Sequence, residues 1–300
     1  MSLLSAERID IRSRNVGSSE VAALFGLDER RTLFELWHQK AGQIPEPDAS
    51  ESERGFWGTV LEPAIAQGIA ERRGWKIRKV RRYVEHPAVP GMGASLDFEI
   101  YAHPRGAAPL EIKNVDWTVA QDWPEGLPPL RFELQVQHRL ACLPSRPWAA
   151  LGVLIGGHQP EVFEYDRHPG AIARIEREVA AFWRSIEENR PPEPDFERDL
   201  PALEILYGTP RPGTVLDLRG DRRLEALCAQ YESARVDKAV AEGRKRAAKA
   251  GILSVIRDAE TAYCEGFKIL APARPGGEVS FHRKPCRDFR VFVRGSREES

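Results

Sequence analysis

Two neighbouring stretches, GASLDFEI at 93–100 and APLEIKNV at 108–115, decide the fold. Both are short and apolar, as expected of central strands in a sheet. Side chains alternate across a strand, so Glu111 and Lys113 share one face and Ile112 points the other way, into a core. Asp97 stands on the preceding strand. An acidic residue on one strand and Glu-x-Lys on the next can build a two-carboxylate metal site with a lysine beside it. That constellation suits divalent-metal hydrolysis of a phosphodiester. A Glu-x-Lys taken alone is more commonly a solvated cross-strand pair. The pairing with Asp97 in short apolar strands favours the site.

Upstream, GSSEVAALFGLD reads as a short helix with Ser18 or Ser19 as N-cap and Gly26 as its end. RTLFELWHQKAG is a second helix, with Leu33, Leu36 and Trp37 inward and Gly42 as its stop. A third runs from about Phe56 to Arg73 and carries Glu62. KIRKVRRYVE is a strand with Ile77, Val80 and Val84 as its apolar positions. Downstream, DWTVAQDWPEGLPP reads as a loop and RFELQVQHRLACL as an amphipathic helix, with Phe132, Val136, Leu140 and Leu143 at helical spacing. WAALGVLIGG and EVFEYDR form a strand hairpin, and GAIARIEREVAAFWRSIEENR a helix stopped by Pro191 and Pro192.

The composition shifts after PPEPDFERD. We therefore expect a core over 1–195 and an extension over 196–300, made of a long charged helix and a hairpin turning at Pro275, Gly276 and Gly277. The element order implies α/β or α+β architecture with a mixed central sheet.

The 300 residues are 42% hydrophobic and 30% charged, with a net charge of -1. No apolar run approaches the roughly 18 residues of a membrane span, and MSLLSAERIDIRSR, with no basic start before an apolar stretch, leads us to expect no secretory signal. The expected location is the cytoplasm, with no membrane partner. Cys142, Cys228, Cys264 and Cys286 form no CxxC pair, which argues against a local zinc or iron–sulfur site and for buried reduced thiols. Global charge does not announce a polyanion, but the strip from Arg72 to Arg82 does so locally. Within it Lys76, Arg78, Lys79 and Arg81 are candidate contacts to a DNA backbone.

A hard cation such as Mg²⁺ takes oxygen ligands and keeps several waters. Asp97 and Glu111 supply carboxylates, the Ile112 carbonyl a third donor, and Glu62 reaches the ion directly or through water. Lys113 would orient the attacking water or stabilise developing negative charge. Gln135 and Gln137 cannot share one helix face. Gln135 is favoured at the site, with Gln137 turned to solvent or a helix neighbour. Arg12, Arg14, Ser18 and Ser19 begin the first helix, where free N–H groups and a guanidinium suit a phosphate; plain capping with surface arginines is the competing reading. The histidines show no metal-ligand spacing. Trp117 and Trp123 can stack a base, but buried packing is favoured.

VGSSEVAALFG, TLFELWHQKAG, GTVLEPAIA, ASLDFEI, LEIKN and LQVQHRLA follow one another in order. The series resembles the YqaJ-type viral recombinase family, phage exonucleases similar to lambda exonuclease, with the PD-(D/E)XK nuclease fold. The resemblance spans about residues 10–190. It implies a mixed sheet flanked by helices and one or two Mg²⁺ ions, with Mn²⁺ able to substitute. It also implies degradation of one strand of double-stranded DNA from its 5′ end, a single-strand annealing protein as partner, and a ring-shaped homo-oligomer.

By motif, the resemblance makes Asp97, Glu111 and Lys113 the catalytic trio, with the Ile112 carbonyl on the metal. Glu62 is the helix carboxylate, Gln135 the motif glutamine, and Ser19 the serine that holds the 5′ phosphate, with Arg12 or Arg14 beside it. The family often has Pro-Asp-Gly where this chain has Leu96, Asp97 and Phe98. Because Phe98 cannot take a glycine-only conformation cheaply, a different turn after Asp97 is expected, with Glu99 competing as ligand. An endonuclease of the same fold and an inactive DNA-binding protein remain the alternatives.

Overall fold

The computed structural model describes residues 11–46, 52–277, 280 and 287–291, with the side chain of Arg81 outside that description. The chain divides into two compact units, Met1–Leu206 and Tyr207–Ser300. The fold is mixed α/β, a central sheet flanked by helices, with a C-terminal helix and β-hairpin.

The first unit is built on a five-stranded sheet in chain order. Its strands are β1 (Lys76–Glu85), β2 (Gly93–Tyr101), β3 (Ala108–Val115), β4 (Trp148–Ile155) and β5 (Gln159–Asp166). All neighbours are antiparallel except β3 and β4, which run parallel. A parallel pair needs a crossover. It is supplied by α3 (Trp117–Gln121) and α4 (Leu130–Cys142), which follow α1 (Leu33–Lys40) and α2 (Glu53–Arg73) in the chain. Helices α5 (Pro169–Glu187) and α6 (Leu200–Tyr207) come after the sheet. Among the described residues, no helix is long and apolar enough to cross a membrane.

Each face of the sheet has its own core. On one, Ile65, Ala66 and Ile69 of α2 pack on Phe98, Ile100, Leu110, Ile112 and Ala150. On the other, Val136 and Leu140 of α4 and Ile175 and Val179 of α5 pack on Ala94, Leu151 and Val153. With both faces covered, β4 is buried almost throughout. Helix α2 lies so close that a Cβ on Gly152 would stand 2.6 Å from Ile69 Cδ1. The glycine in mid-strand thus sets the approach of the helix that carries Glu62.

Several elements differ from the sequence reading. The first helix is a five-residue 3₁₀ turn, Val21–Phe25, whose N-cap residue is Glu20 and makes no side-chain cap. Neither Ser18 nor Ser19 caps it. The segment read as a loop contains α3, because the Asp116 carboxylate accepts from the Thr118 N–H and starts a helical turn. In the second unit, α7 (Arg222–Ile256) is capped by Asp221 and has no buried residue. The hairpin forms earlier than expected. Strand β6 (Thr261–Cys264) pairs with β7 (Phe267–Leu270), and Gly266 at φ 76° makes the two-residue turn. Pro275–Gly277 lie in irregular chain, and most of the expected returning strand lies outside the described residues. Cys142 is buried, but Cys228 is only partly so and Cys264 is exposed; Cys286 lies outside the described residues.

Candidate active site

Asp97 sits where the sheet comes apart. Toward β1, the register runs Lys79↔Phe98 and then Arg82↔Leu96, so Val80 and Arg81 bulge opposite it. Toward β3, the ladder ends at Phe98↔Leu110, one residue short of Asp97 and Glu111. The two carboxylates therefore stand at a fork between β2 and β3, one on each arm. No turn follows Asp97. Phe98 is a regular buried strand residue, so the glycine of the related pattern is not needed here. Glu99 does not compete for the site, because it accepts from Arg78 Nε at 2.8 Å and Arg146 Nε at 3.1 Å. Burial works to raise its carboxyl, but those two arginines outweigh burial and hold it below the usual range.

Glu111 is buried and fully engaged. Its Oε1 accepts from Gln135 Nε2 at 2.7 Å and lies 2.8 Å from Lys113 Nζ, and its Oε2 pairs with Arg139 Nη1. Arg139 Nη2 also lies 3.7 Å from Asp97 Oδ2, and its Nε donates to Ser18 Oγ at 3.2 Å. Burial lowers the Arg139 pKa while Asp97 and Glu62 raise it; a guanidinium remains a cation regardless.

Lys113 is pushed down to about 8, first by burial and then by the charge of Arg30, against the pull of Asp97 and Glu62. Half-buried Glu62 is raised, first by burial and then by the negative charge of Asp97, with Lys79 and Arg139 opposing. Asp97, Glu111, Lys113, Glu62 and Gln135 are thus brought together, and the Ile112 side chain turns to the opposite core.

These residues line a cleft of about 1210 Å³. Arg12 and Ser19 line it too, whereas Ser18 is buried against Arg139 and Arg14 is exposed. The cleft also gathers Arg30, Arg31, Arg54 and Arg131, which sequence reasoning missed, and half-exposed Trp57. A second pocket of about 230 Å³, lined by Leu24, Leu33, Trp37 and Phe182, lies apart from this chemistry.

Residues 9–145, the stretch that builds this fork and its arginine-lined cleft, match the YqaJ-like viral recombinase domain. Over that stretch the chain is similar to this family. Over 173 residues it is 32% identical to the uncharacterized protein YqaJ of Bacillus subtilis (strain 168). The match covers 57% of this chain and 53% of that one, so the chain spans about half the length of this relative. Among solved structures, an alkaline exonuclease of Laribacter hongkongensis, LHK-Exo, is 23% identical, with 66% of this chain and 99% of that one covered and a TM-score of 0.49. The same exonuclease in complex with dAMP is 25% identical, covering 60% and 91% with a TM-score of 0.47.

Among the described residues, no three His, Cys, Asp or Glu side chains form a ready-made metal cage. Mg²⁺ does not demand one, since it is usually held by one or two carboxylates and keeps several waters. Asp97 and Glu111 already converge on one positive group, the Arg139 guanidinium. Two hard-oxygen donors aimed at a common cation fit a divalent metal.

Sequence reasoning missed Arg139. The available signal was its place four residues after Gln135, on the same helix face. Gln137 turns neither to solvent nor to the site. It is buried, donating to the Asp166 carbonyl at 2.8 Å and accepting from the His168 N–H at 3.0 Å. Trp123 is buried as expected, but Trp117 is 46% exposed and stacks on His158.

Proposed function

We propose that this protein is a Mg²⁺-dependent deoxyribonuclease that degrades duplex DNA from a 5′ end during phage-type recombination. The fork carries the reading: Asp97 and Glu111 face one cation position, with Lys113 Nζ 2.8 Å from Glu111, inside an arginine-lined cleft. Asp97, Glu111, the Ile112 carbonyl and Glu62 would hold one or two Mg²⁺ ions, with Mn²⁺ able to substitute. When bound, the metal supplies Lewis-acid stabilisation of charge on the phosphate and a more acidic water.

The chain's own residues do the rest. Lys113, with its pKa near 8, holds a proton at neutral pH and places positive charge beside the phosphate as charge develops. Gln135 fixes the Glu111 carboxylate in orientation. Arg12 and Ser19 receive the terminal 5′ phosphate, with Arg14 and Ser18 behind them. Lys76, Lys79 and Arg81 meet the backbone of the duplex. Residues 1–195 act as the nuclease core, and 196–300 as an extension for DNA or a neighbouring subunit in a ring. The single strand left behind passes to an annealing protein.

The test is digestion of end-labelled linear duplex and covalently closed circular DNA, each with Mg²⁺ and with EDTA. The expected result is metal-dependent loss of linear DNA from a 5′-phosphorylated end, with circles untouched. Cleavage of circles would replace the exonuclease with an endonuclease of the same fold. Two intact substrates, with folded protein and metal present, would leave a DNA-binding protein.

A further inference from the structure

The Arg139 guanidinium occupies the place to which both fork carboxylates point. Its side chain is 6% exposed. One terminal nitrogen pairs with Glu111 Oε2, the other lies 3.7 Å from Asp97 Oδ2, and Nε donates to Ser18 at 3.2 Å. The other oxygen of Glu111 already takes Gln135 at 2.7 Å and Lys113 at 2.8 Å. Glu111 thus holds three partners of the roughly four its oxygens can accept, and the oxygen that faces Asp97 is the one Arg139 occupies. A guanidinium and a divalent cation also repel strongly at contact distance in a site shielded from water.

We infer that Arg139 is a built-in counter-ion that holds Asp97 and Glu111 together without metal and that a divalent metal must displace to bind. This rests on the metal reading above. It adds that the chain contains its own competitor for the metal.

Removing one partner of a buried charge pair leaves the other uncompensated. Without Arg139, the carboxylates of the metal-free protein would repel each other and accept an external cation more readily. The counter-ion thus stabilises the metal-free protein while raising the metal concentration needed to fill the site.

The experiment measures Mn²⁺ binding to the full chain by electron paramagnetic resonance of the unbound ion, together with thermal unfolding in EDTA and in Mn²⁺. Arg139→Gln should bind Mn²⁺ about tenfold more tightly than the unmodified protein, within the usual range of site-to-site coupling. Its Tm should be lower in EDTA and should rise further when Mn²⁺ is added. Arg139→Lys keeps the charge but loses the two-pronged fork, so its affinity should fall between the two. It also serves where the glutamine variant does not fold.

Folded variants that bind Mn²⁺ no more tightly than the unmodified protein would overturn the inference, as would the absence of Mn²⁺ binding in all three. Neither measurement involves DNA. Tighter binding in Arg139→Gln, with intact linear DNA in the digestion assay, would sink the nuclease reading alone. Unchanged affinity with metal-dependent digestion would sink only the role of Arg139.

Discussion

The fork and the basic strip of β1 are adjacent, and both stand out in the sequence as charge on alternating positions, yet the sheet treats them in opposite ways. At the fork, Glu111 and Arg139 are drawn inward, their side chains 8% and 6% exposed, while Asp97 at 36% stands at the cleft edge. On β1, Arg78 is 63% exposed and bound to Glu99 on the neighbouring strand, Lys79 lies over the Phe98 ring at 5.3 Å, and Lys76 is exposed. The bulge at Val80–Arg81 divides the two regions. A run of cations along a strand counts charges but not their partners. Arg78, read as a DNA contact, is already committed to a carboxylate on the neighbouring strand.

The contrast predicts unequal responses to substitution. Asp97→Asn and Glu111→Gln should each reduce the rate of Mg²⁺-dependent digestion by about 100-fold or more, the scale of losing one charge-stabilising group at a reacting centre. Arg78→Ala should change the rate less than about twofold, as a solvent-exposed pair contributes little. Single-turnover rates on end-labelled duplex, with circular dichroism to confirm folding, would measure both. Equal losses at Asp97 and Arg78 would erase the distinction.

Acid should weaken the support of the fork before it touches the strip. Buried His138 holds α4, the helix of Gln135 and Arg139, to β2 through the Gly93 carbonyl at 2.9 Å. Burial pushes its pKa down to about 4. Between that value and the usual 6.5 or so, the unfolded chain binds the proton and the folded chain does not. Stability therefore falls as pH drops through this window, by at most about 3 kcal/mol at 1.36 kcal/mol per pKa unit. Denaturant midpoints measured from pH 7 to 4 should decline less steeply in His138→Gln. Parallel curves would assign the acid limb to other groups.

Much of the fork was legible because strand alternation is local. Leu96, Phe98 and Ile100 bury one face of GASLDFEI and leave Asp97 and Glu99 on the other, and Glu111 and Lys113 share a face as their spacing requires. The helix face carrying Gln135 was half legible, since periodicity separates it from Gln137 but does not say what either meets. Arg139 was not, because its partners come from β2, β3 and the segment before the 3₁₀ turn, which only the tertiary fold assembles. The bulge opposite Asp97 was hidden for a related reason: register belongs to a pair of strands, and KIRKVRRYVE shows only one. At the other end of the chain, the reading passed over Glu265 and Gly266, whose two-residue spacing joins β6 to β7, while the strand expected after Gly277 lies mostly outside the described residues.

Alkaline pH should act on the fork more gently. Lys113 is held near 8, below the usual 10.4 or so of an unfolded lysine. From about pH 8 upward the unfolded chain keeps the proton that the folded chain has lost, so stability should rise with pH until the unfolded lysine also titrates. Its side chain is 26% exposed, so the slope should be shallower than that of His138. Lys113→Met should remove it in metal-free protein, as read from denaturant midpoints between pH 8 and 10. A persistent slope would place the titration elsewhere.

The smallest expected effect bears on the strip itself. If Glu99 keeps Arg78 and Arg146 from the DNA, then Glu99→Gln should weaken both ion pairs and leave the arginines able to meet phosphate. The stability cost should come chiefly from the Arg146 arm, where Glu99 and Arg146 are 12% and 27% exposed, since the solvent-exposed Arg78 arm contributes little. DNA affinity should rise a few-fold at low salt. Its salt dependence should steepen by about one unit for each further phosphate that the released arginines neutralise. Equilibrium binding in EDTA over a salt series separates this from catalysis, since no strand is cut. An unchanged slope would mean that the β1 strip lies off the path of the duplex. The contrast between the two regions would then be one of place as well as of pairing.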